Sequence, residues 1–347
     1  MSDKIICLTD YKNNFGSKWN ATPYRSGLDK KHLATLFKQH QFETEFVPMA
    51  EVDFKDKHWE NSTVLYTSSE EYGLHYKSFI EDIVFGLQEK GATLLPDPAF
   101  LRANNNKVFM EVLRETRLPD KLKTVHSKAF GTYDEMITAL QQGSITFPCV
   151  VKKAAGAMSR GVFLAKNDKE LKRVVQKISH TGSWLISAKE WVRRKKHKGY
   201  KPESSKQGKF IIQPFINGLS NDWKILIYGD RYFILKRTIK QNDFRASGSG
   251  YKYKSGSQSE FPLEMLDQIR QFYFALDVPY LSVDYGFDGT NGYIFEFQAI
   301  HFGTSTQYKS KDYYQYSNGQ WVAEENTFDQ EQIYVQSIVD FLNRKNA

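Results

Sequence analysis

Long apolar runs are missing from this chain. The longest are strand-sized, which excludes a helix able to span a bilayer. The opening residues MSDKIICLTD lack a basic stretch, a long apolar stretch and a cleavage site, so secretion is not expected. Cysteine is scarce: only Cys7 and Cys149 occur, each in apolar, strand-like surroundings (IICLT and FPCVV). Both are expected to be buried free thiols, and a cytoplasmic location is expected with them. Nothing repeats at a fixed period and no segment is low-complexity. No glycine fingerprint for a dinucleotide follows the first strand, and no Gly-Lys-Ser/Thr opens a helix as in a P-loop. No Ser-His-Asp or Cys-His signature of a nucleophilic enzyme is recognisable.

At 347 residues, the chain is long enough for two or three lobes with cores of their own. Its 40% hydrophobic and 25% charged residues are ordinary for a globular protein. The net charge of +8 favours an anionic partner such as ATP, a phosphorylated substrate or an acidic polymer. The densest basic run is Arg193, Arg194, Lys195, Lys196, His197 and Lys198, within a polar stretch reaching about Gly208 that reads as a solvated loop.

Strands and helices alternate over the first hundred residues. Strands are expected at 5–9, 45–47, 63–67 and 92–95, and helices at 28–40 and 75–89, where apolar residues recur at helical spacing. This alternation predicts a mostly parallel sheet with helices on its faces. After residue 104 the pattern becomes α+β with largely antiparallel pairing. Helices are expected at 106–115, 133–142, 170–178, 263–276 and 332–343. Strands are expected at 147–152, 162–165, 210–216, 223–228 and 232–238, the last two joined by Gly229-Asp230.

The most informative stretch is VDYGFDGTNGYIFEFQAIHFG, residues 283–303. Asp288 to Gly292 are turn residues, and the flanking strands can bring Asp284, Glu296 and Gln298 to one end. Such hard oxygen donors suit Mg2+, with Mn2+ an alternative, together with phosphate oxygens. Lys152 ends an apolar strand just before a small-residue loop containing Gly156, Ser159, Arg160 and Gly161, through which backbone N–H groups could approach an anion. Lys107 opens a helix after three asparagines. Gln213, Pro214, Phe215 and Ile216 close an apolar strand at a proline, which can leave backbone groups for a flat heterocycle such as adenine. Lys236 and Arg237 are adjacent on one strand and so point to opposite faces, and Arg245 follows in NDFRASGSGY. Each feature alone could equally be a polar hairpin, an exposed lysine or plain core.

Their order is more specific. Lysine on a helix, lysine before a glycine loop, an apolar strand breaking into a linker, then an Asp-x-Lys strand, a Lys-Arg strand, an FR loop, Asp and Glu-x-Gln resembles the ATP-grasp superfamily over about 104–303. The resemblance implies a Rossmann-like partner domain (the pre-ATP-grasp domain) at 1–103. It also implies a lobe with the glycine-rich loop at 104–208, and a lobe with the metal site and closing helix at 209–347. It implies that Lys107 and Lys152 hold ATP phosphates, that 156–161 closes over them, and that residues 213–216 bind adenine. Lys236 and Arg245 would face phosphate and an acyl-phosphate, and Asp284, Glu296 and Gln298 would ligate Mg2+. The chain departs from the family in four places, one of them an unusual insertion around 190–208. Gln298 stands where asparagine is usual, Lys153 where proline usually follows the first strand lysine, and AIHFGT (299–304) lacks the common Pro-Gly. His301 could replace part of a substrate wall or simply pack there.

The implied activity is that of a carboxylate–amine (or carboxylate–thiol) ligase: ATP-dependent joining of a carboxylate to an amine through an acyl-phosphate, on an amino acid, a peptide or a uronic-acid-bearing sugar. Small-molecule or saccharide substrates are expected as partners, without nucleic acid or a membrane span, and a homodimer stays open. The alternative is a non-catalytic nucleotide-binding protein with a degenerate ATP-grasp fold.

Overall fold

Alternation at the start of the chain is realised as β1 (Asp3–Thr9), α1 (Lys30–Gln39), β2 (Phe42–Pro48), β3 (Thr63–Leu65), α2 (His75–Glu89) and β4 (Thr93–Leu95). In this computed structural model, residues 3–71, 73–156, 161–180, 184–219, 221–238, 253–254 and 260–346 are described. The four strands pair in parallel in the order β2-β1-β3-β4. Both faces of β1 are buried. Ile5 and Cys7 pack with Leu33 and Phe37 of α1, whereas Ile6 and Leu8 pack with Ile80, Val84 and Leu87 of α2. That two-sided burial explains why β1 reads as a continuous apolar run and not an alternating one. Cys7 and Cys149 are buried free thiols, and burial pushes both well above the ordinary thiol range.

Next come α3 (Pro98–Ala103) and α4 (Lys107–Arg117), followed by a second, antiparallel sheet. Its strands are β5 (Lys128–Thr132), β6 (Cys149–Lys153), β7 (Val162–Ala165) and β8 (Gln207–Pro214), in the order β5-β8-β6-β7. α5 (Tyr133–Gln141) and α6 (Asp168–Ser179) cover it, contributing Met136, Leu171 and Val175 to a core with Val151 and Phe210. The expected division at 208/209 runs through β8, whose pairing with β5 and β6 assigns it to this sheet.

The expected basic loop is in large part a helix. Arg193 to Lys196 form the last turn of α7 (Trp184–Lys196). Cations there oppose the negative end of the helix dipole. The turn is tied down by Glu190, which accepts from the Tyr200 hydroxyl at 2.6 Å and the Glu203 N–H at 3.1 Å.

The third sheet is the largest, with β9 (Asn221–Tyr228), β10 (Arg231–Thr238), β11 (Tyr253–Lys254), β12 (Tyr280–Phe287), β13 (Gly292–Gln298), β14 (Asp312–Ser317) and β15 (Gln320–Glu325). Its order is β13-β12-β9-β10-β14-β15, with β11 on β10, and every pairing is antiparallel. β14 and β15 were not expected, although the Asn318-Gly319 turn between them, both at positive φ, is a strong hairpin signal. α8 (Met265–Leu276) packs on one face, where Trp223, Ile225, Ile234, Val283 and Tyr285 meet Leu266, Ile269 and Phe272. The other face is divided. Toward one end Leu226, Phe233 and Tyr280 pack with Val335 and Ile338 of α10 (Gln330–Asn346), and with Ile5 and Cys7 of the first sheet. Toward the other end the same face turns charged. α9 (Ser305–Lys309) lies between β13 and β14.

α10 also clamps the first sheet through Glu331, which is 1% exposed. Its carboxylate accepts from Lys18 Nζ at 2.8 and 2.9 Å and from the Asp29 N–H at 2.8 Å. Replacing Glu331 with Ala strands a half-buried ammonium and a helix-capping amide. We expect it to cost about 3 kcal/mol, read as a lower midpoint in urea unfolding.

Candidate active site

Strand periodicity decides which side chains meet. Asp284 lies directly opposite both Lys224 and Glu296, and Asp222 lies opposite Arg237. Side chains two apart share a face, so Asp222, Lys224, Arg237, Asp284, Glu296 and Gln298 all project from the charged end of the third sheet. Arg237 bridges the two aspartates, in close contact with Asp222 and at 3.1 Å from Asp284, while Lys224 donates to Asp284 at 2.8 Å. Burial pushes the Asp284 carboxyl upward, but Arg237 and Lys224 more than offset this and hold it well below the carboxylate range. Asp222 moves the other way, raised by burial and by the charge on Asp284 against the pull of Arg237.

Lys236, the neighbour of Arg237, points to the opposite face. It lies opposite Trp223, packs over that indole at 5.4 Å and pairs with Glu260 at 2.9 Å. The structure therefore brings Arg237 to the carboxylates and turns Lys236, which was expected to face phosphate, to the opposite face. Arg245, Ser159 and Arg160 lie outside the described residues.

Glu296 is aimed by a β-bulge. Asp284 pairs with Glu296 and Tyr285 with Ile294, so Phe295 has no partner on β12. The bulge turns the Phe295 ring toward the second sheet, where Lys152 Nζ sits 5.6 Å from its centroid. Lys152 is 6% exposed. Burial lowers its pKa from the ordinary lysine value, opposed chiefly by the Glu296 carboxylate. Lys107, at the first turn of α4, reaches the same carboxylate at 3.4 Å. Its Nζ also donates to the Gly156 carbonyl at 3.2 Å, and its own N–H to the Ala154 carbonyl at 2.9 Å.

Two of the three asparagines ahead of Lys107 have distinct tasks. Asn106 caps α4 through the Phe109 N–H. Asn105, at φ 54°, turns its side chain to accept from the Gly156 N–H at 2.7 Å. The entrance of the 156–161 loop is thus held on both its N–H and its carbonyl by the start of α4. Gly156 and Gly161 have φ of 131° and 97°, where side-chain-bearing residues are strained. Gly161 accepts from the Lys153 N–H. In the expected adenine linker, Gln213 is buried and donates to Ser127 Oγ at 2.7 Å, Pro214 is exposed, and the Phe215 N–H is bonded to the Pro148 carbonyl. Ile216 follows, half-buried. His301 is half-buried, and its Nδ1 finds no partner among the described residues.

The donor set fits Mg2+ in a particular way. Glu296 and Gln298 offer oxygen atoms on one face, but both Asp284 oxygens are engaged by cations. Among the described residues no group of three acidic, histidine or cysteine side chains is placed to hold a metal ion by itself. Phosphate oxygens would therefore supply much of the coordination, the usual arrangement for Mg2+.

No family model and no curated protein matches the chain. Solved structures do. A RimK domain protein from Sphaerobacter thermophilus, described as ATP-grasp, superposes with a TM-score of 0.52 at 11% identity, over 97% of this chain and 98% of that one. D-cycloserine synthetase superposes at 0.51 and 12% identity, over 98% and 99%. N5-carboxyaminoimidazole synthetase from Staphylococcus aureus, complexed with ADP, superposes at 0.50 and 9% identity, over 98% and 78%. At these identities the likeness is one of fold.

Beneath the site lies a pair that sequence reading missed. Arg114 is fully buried, donates to Glu111 at 2.9 Å and reaches the Phe295 carbonyl at 3.3 Å. It thereby joins α4, which carries Lys107, to the bulge that carries Glu296. Its only sequence signal was the i, i+3 spacing of opposite charges on an amphipathic helix. We expect Arg114→Met to destabilise by roughly 3–5 kcal/mol, because it leaves Glu111 buried and unpaired. In a urea-unfolding cycle, the Arg114→Met/Glu111→Leu double variant should recover much of that loss.

Proposed function

We propose that this chain, which has the fold of the ATP-grasp superfamily, is an ATP-dependent ligase that activates a carboxylate by phosphorylation and transfers its acyl group to an amine. One observation carries this reading. Lys107, Lys152 and Glu296 come from a helix and two separate sheets, yet Glu296 pairs with Lys107 and is the main charge acting on Lys152. Two lysines held beside a carboxylate, at the mouth of a glycine loop, suit a triphosphate bridged by a cation to the acid.

In this reading Lys107 exchanges the Gly156 carbonyl for a phosphate oxygen, and Lys152 serves as a buried point charge on the same phosphates. Phosphate would also draw the Lys152 pKa back upward, so the residue is fully charged when the nucleotide is bound. Glu296 and Gln298 would hold Mg2+, with Asp284 beside them. The ion, when bound, neutralises charge on the transferring phosphate. A substrate carboxylate oxygen attacks the γ-phosphorus, the bond to the β,γ-bridging oxygen breaks, and ADP leaves. The amine nitrogen then attacks the acyl carbon, the acyl–oxygen bond breaks with its electron pair on departing phosphate, and the nitrogen gives up a proton. Arg237 holds Asp222 and Asp284 in place, and Arg245 keeps the acyl-phosphate role that the resemblance implies. The chemistry rests on alignment and charge, which agrees with the lack of a protein nucleophile in the sequence. Gln298, in place of the usual asparagine, favours the second reading, a nucleotide binder without turnover.

Lys152→Ala should weaken Mg-ATP binding at least ~10-fold by calorimetry, since charge-assisted bonds are worth about 1.5–3 kcal/mol. Lys236→Ala should change it less than about twofold, as expected for an exposed ion pair on the far face. Equal losses in the two variants would remove this assignment of the phosphate site.

Carboxylate-dependent ADP formation separates the two readings. Glu296→Gln should abolish it while nucleotide binding survives in part, and Gln298→Asn should lower it only modestly. Nucleotide binding without ADP formation for any carboxylate–amine pair would give the second reading the lead.

A further inference from the structure

Between β1 and α1 the chain runs from residue 10 to 29 without a helix or strand. Loops longer than about 15 residues are uncommon in compact domains and are usually functional. This one is rigidly held. Asp10 accepts from the Lys12 and Asn14 amides at 2.8 Å. Phe15 is fully buried, edge-on to Phe46 and Tyr334. Lys18 is bound by Glu331, and the Trp19 N–H donates to Thr304 Oγ1 at 2.9 Å.

From this frame the loop projects Tyr11, Trp19 and Tyr24 into solvent, at 69%, 53% and 79% exposure, with Tyr308 of α9 at 56%. Each exposed ring of the loop has a cation over it: Lys12 at 5.2 Å from Tyr11, Lys309 at 5.0 Å from Trp19 and Arg25 at 5.2 Å from Tyr24. Tyr11 also packs edge-on to Tyr76 at 4.9 Å, but the Trp19 and Tyr24 pairs bury little apolar area in the folded chain, so folding alone does not account for those two. The loop leaves the carboxyl end of β1, where a parallel sheet presents ligands. It also touches the segment that runs on from Gln298. Gly16, Ser17, Thr67, Ile300 and Thr304 line a common cavity of about 30 Å³.

We infer that this loop is the docking surface for a saccharide chain bearing uronic acids, the source of the carboxylate to be activated. The inference rests on the ligase reading above. The occupant must be anionic, must offer flat apolar faces to the rings, and must carry a carboxylate. Nucleic acid has faces and charge but no carboxylate. An acidic homopolymer such as poly-L-glutamate has carboxylates but no ring face to lay on tyrosine or tryptophan. A uronate has both, with C–H groups across one side of the pyranose ring and a carboxylate at its edge for lysine or arginine.

The test uses the full chain, in affinity electrophoresis and calorimetry against polygalacturonate, dextran, poly-L-glutamate and polyuridylate. We expect polygalacturonate to bind and dextran not to, with poly-L-glutamate at least ~10-fold weaker because it has charge without stacking, and polyuridylate, which stacks but carries no carboxylate, weaker as well. Trp19→Ala/Tyr24→Ala should lose about 10-fold for polygalacturonate, while Mg-ATP affinity and thermal midpoint stay unchanged. The proposal is overturned by equal binding of the three polyanions, by preference for polyuridylate, or by full binding in the double variant. Failure to bind polygalacturonate with Mg-ATP binding intact removes the docking surface alone. Failure to bind Mg-ATP removes the ligase reading and leaves the saccharide result to stand by itself.

Discussion

Arg237 is the interaction on which the charged end of the third sheet depends. It lies between Asp222 and Asp284, with Lys224 completing the set. Two buried carboxylates side by side would repel, and burial alone would drive both toward the neutral form. One guanidinium nitrogen, Nη2 of Arg237, reaches both. Around that cluster the rest of the face is arranged: apolar toward α10 and the first sheet, charged toward the second sheet. The division along a single face lets one sheet serve as core and as site floor.

The second constraint is the link from α4 to β13. Lys107 opens α4, Arg114 is two turns further on, and Arg114 holds the carbonyl of the bulge residue next to Glu296. A shift of α4 along its axis would therefore move the lysine and the carboxylate together and keep their spacing. Asn105 extends the same rigidity to the entrance of the glycine loop. Lys152 approaches from the other side over the Phe295 ring, so the bulge is where all three contributions meet. An unpaired buried polar group is costly, and here the partners come from different layers of the fold.

Much of this was legible from residues alone. α2 was expected at 75–89 and is found as His75–Glu89, because five apolar residues recur on one face. The 283–298 hairpin was legible too, since Asp288 to Gly292 specify a turn and Asp288 accepts from the Thr290 and Asn291 amides. The basic run misled because its composition is that of a solvated loop, whereas the helix is anchored by Glu190, whose partners Tyr200 and Glu203 lie in the following segment. Arg114 was invisible because a charged residue on a polar-looking helix gives no sign of being fully buried.

The sequence by itself determined the period of most elements and the chemistry available: lysines before a glycine loop and acids on a closing hairpin. Those properties are local, set by turn residues, side-chain spacing and charge. Only the tertiary structure decided which of Lys236 and Arg237 faces the acids, which oxygens of Asp284 are already engaged, and that Phe295 is a bulge aimed at Lys152. The reason is physical. A strand's alternation fixes that neighbours point to opposite faces, but which face is buried depends on what packs there, and that is decided by helices and sheets distant in sequence.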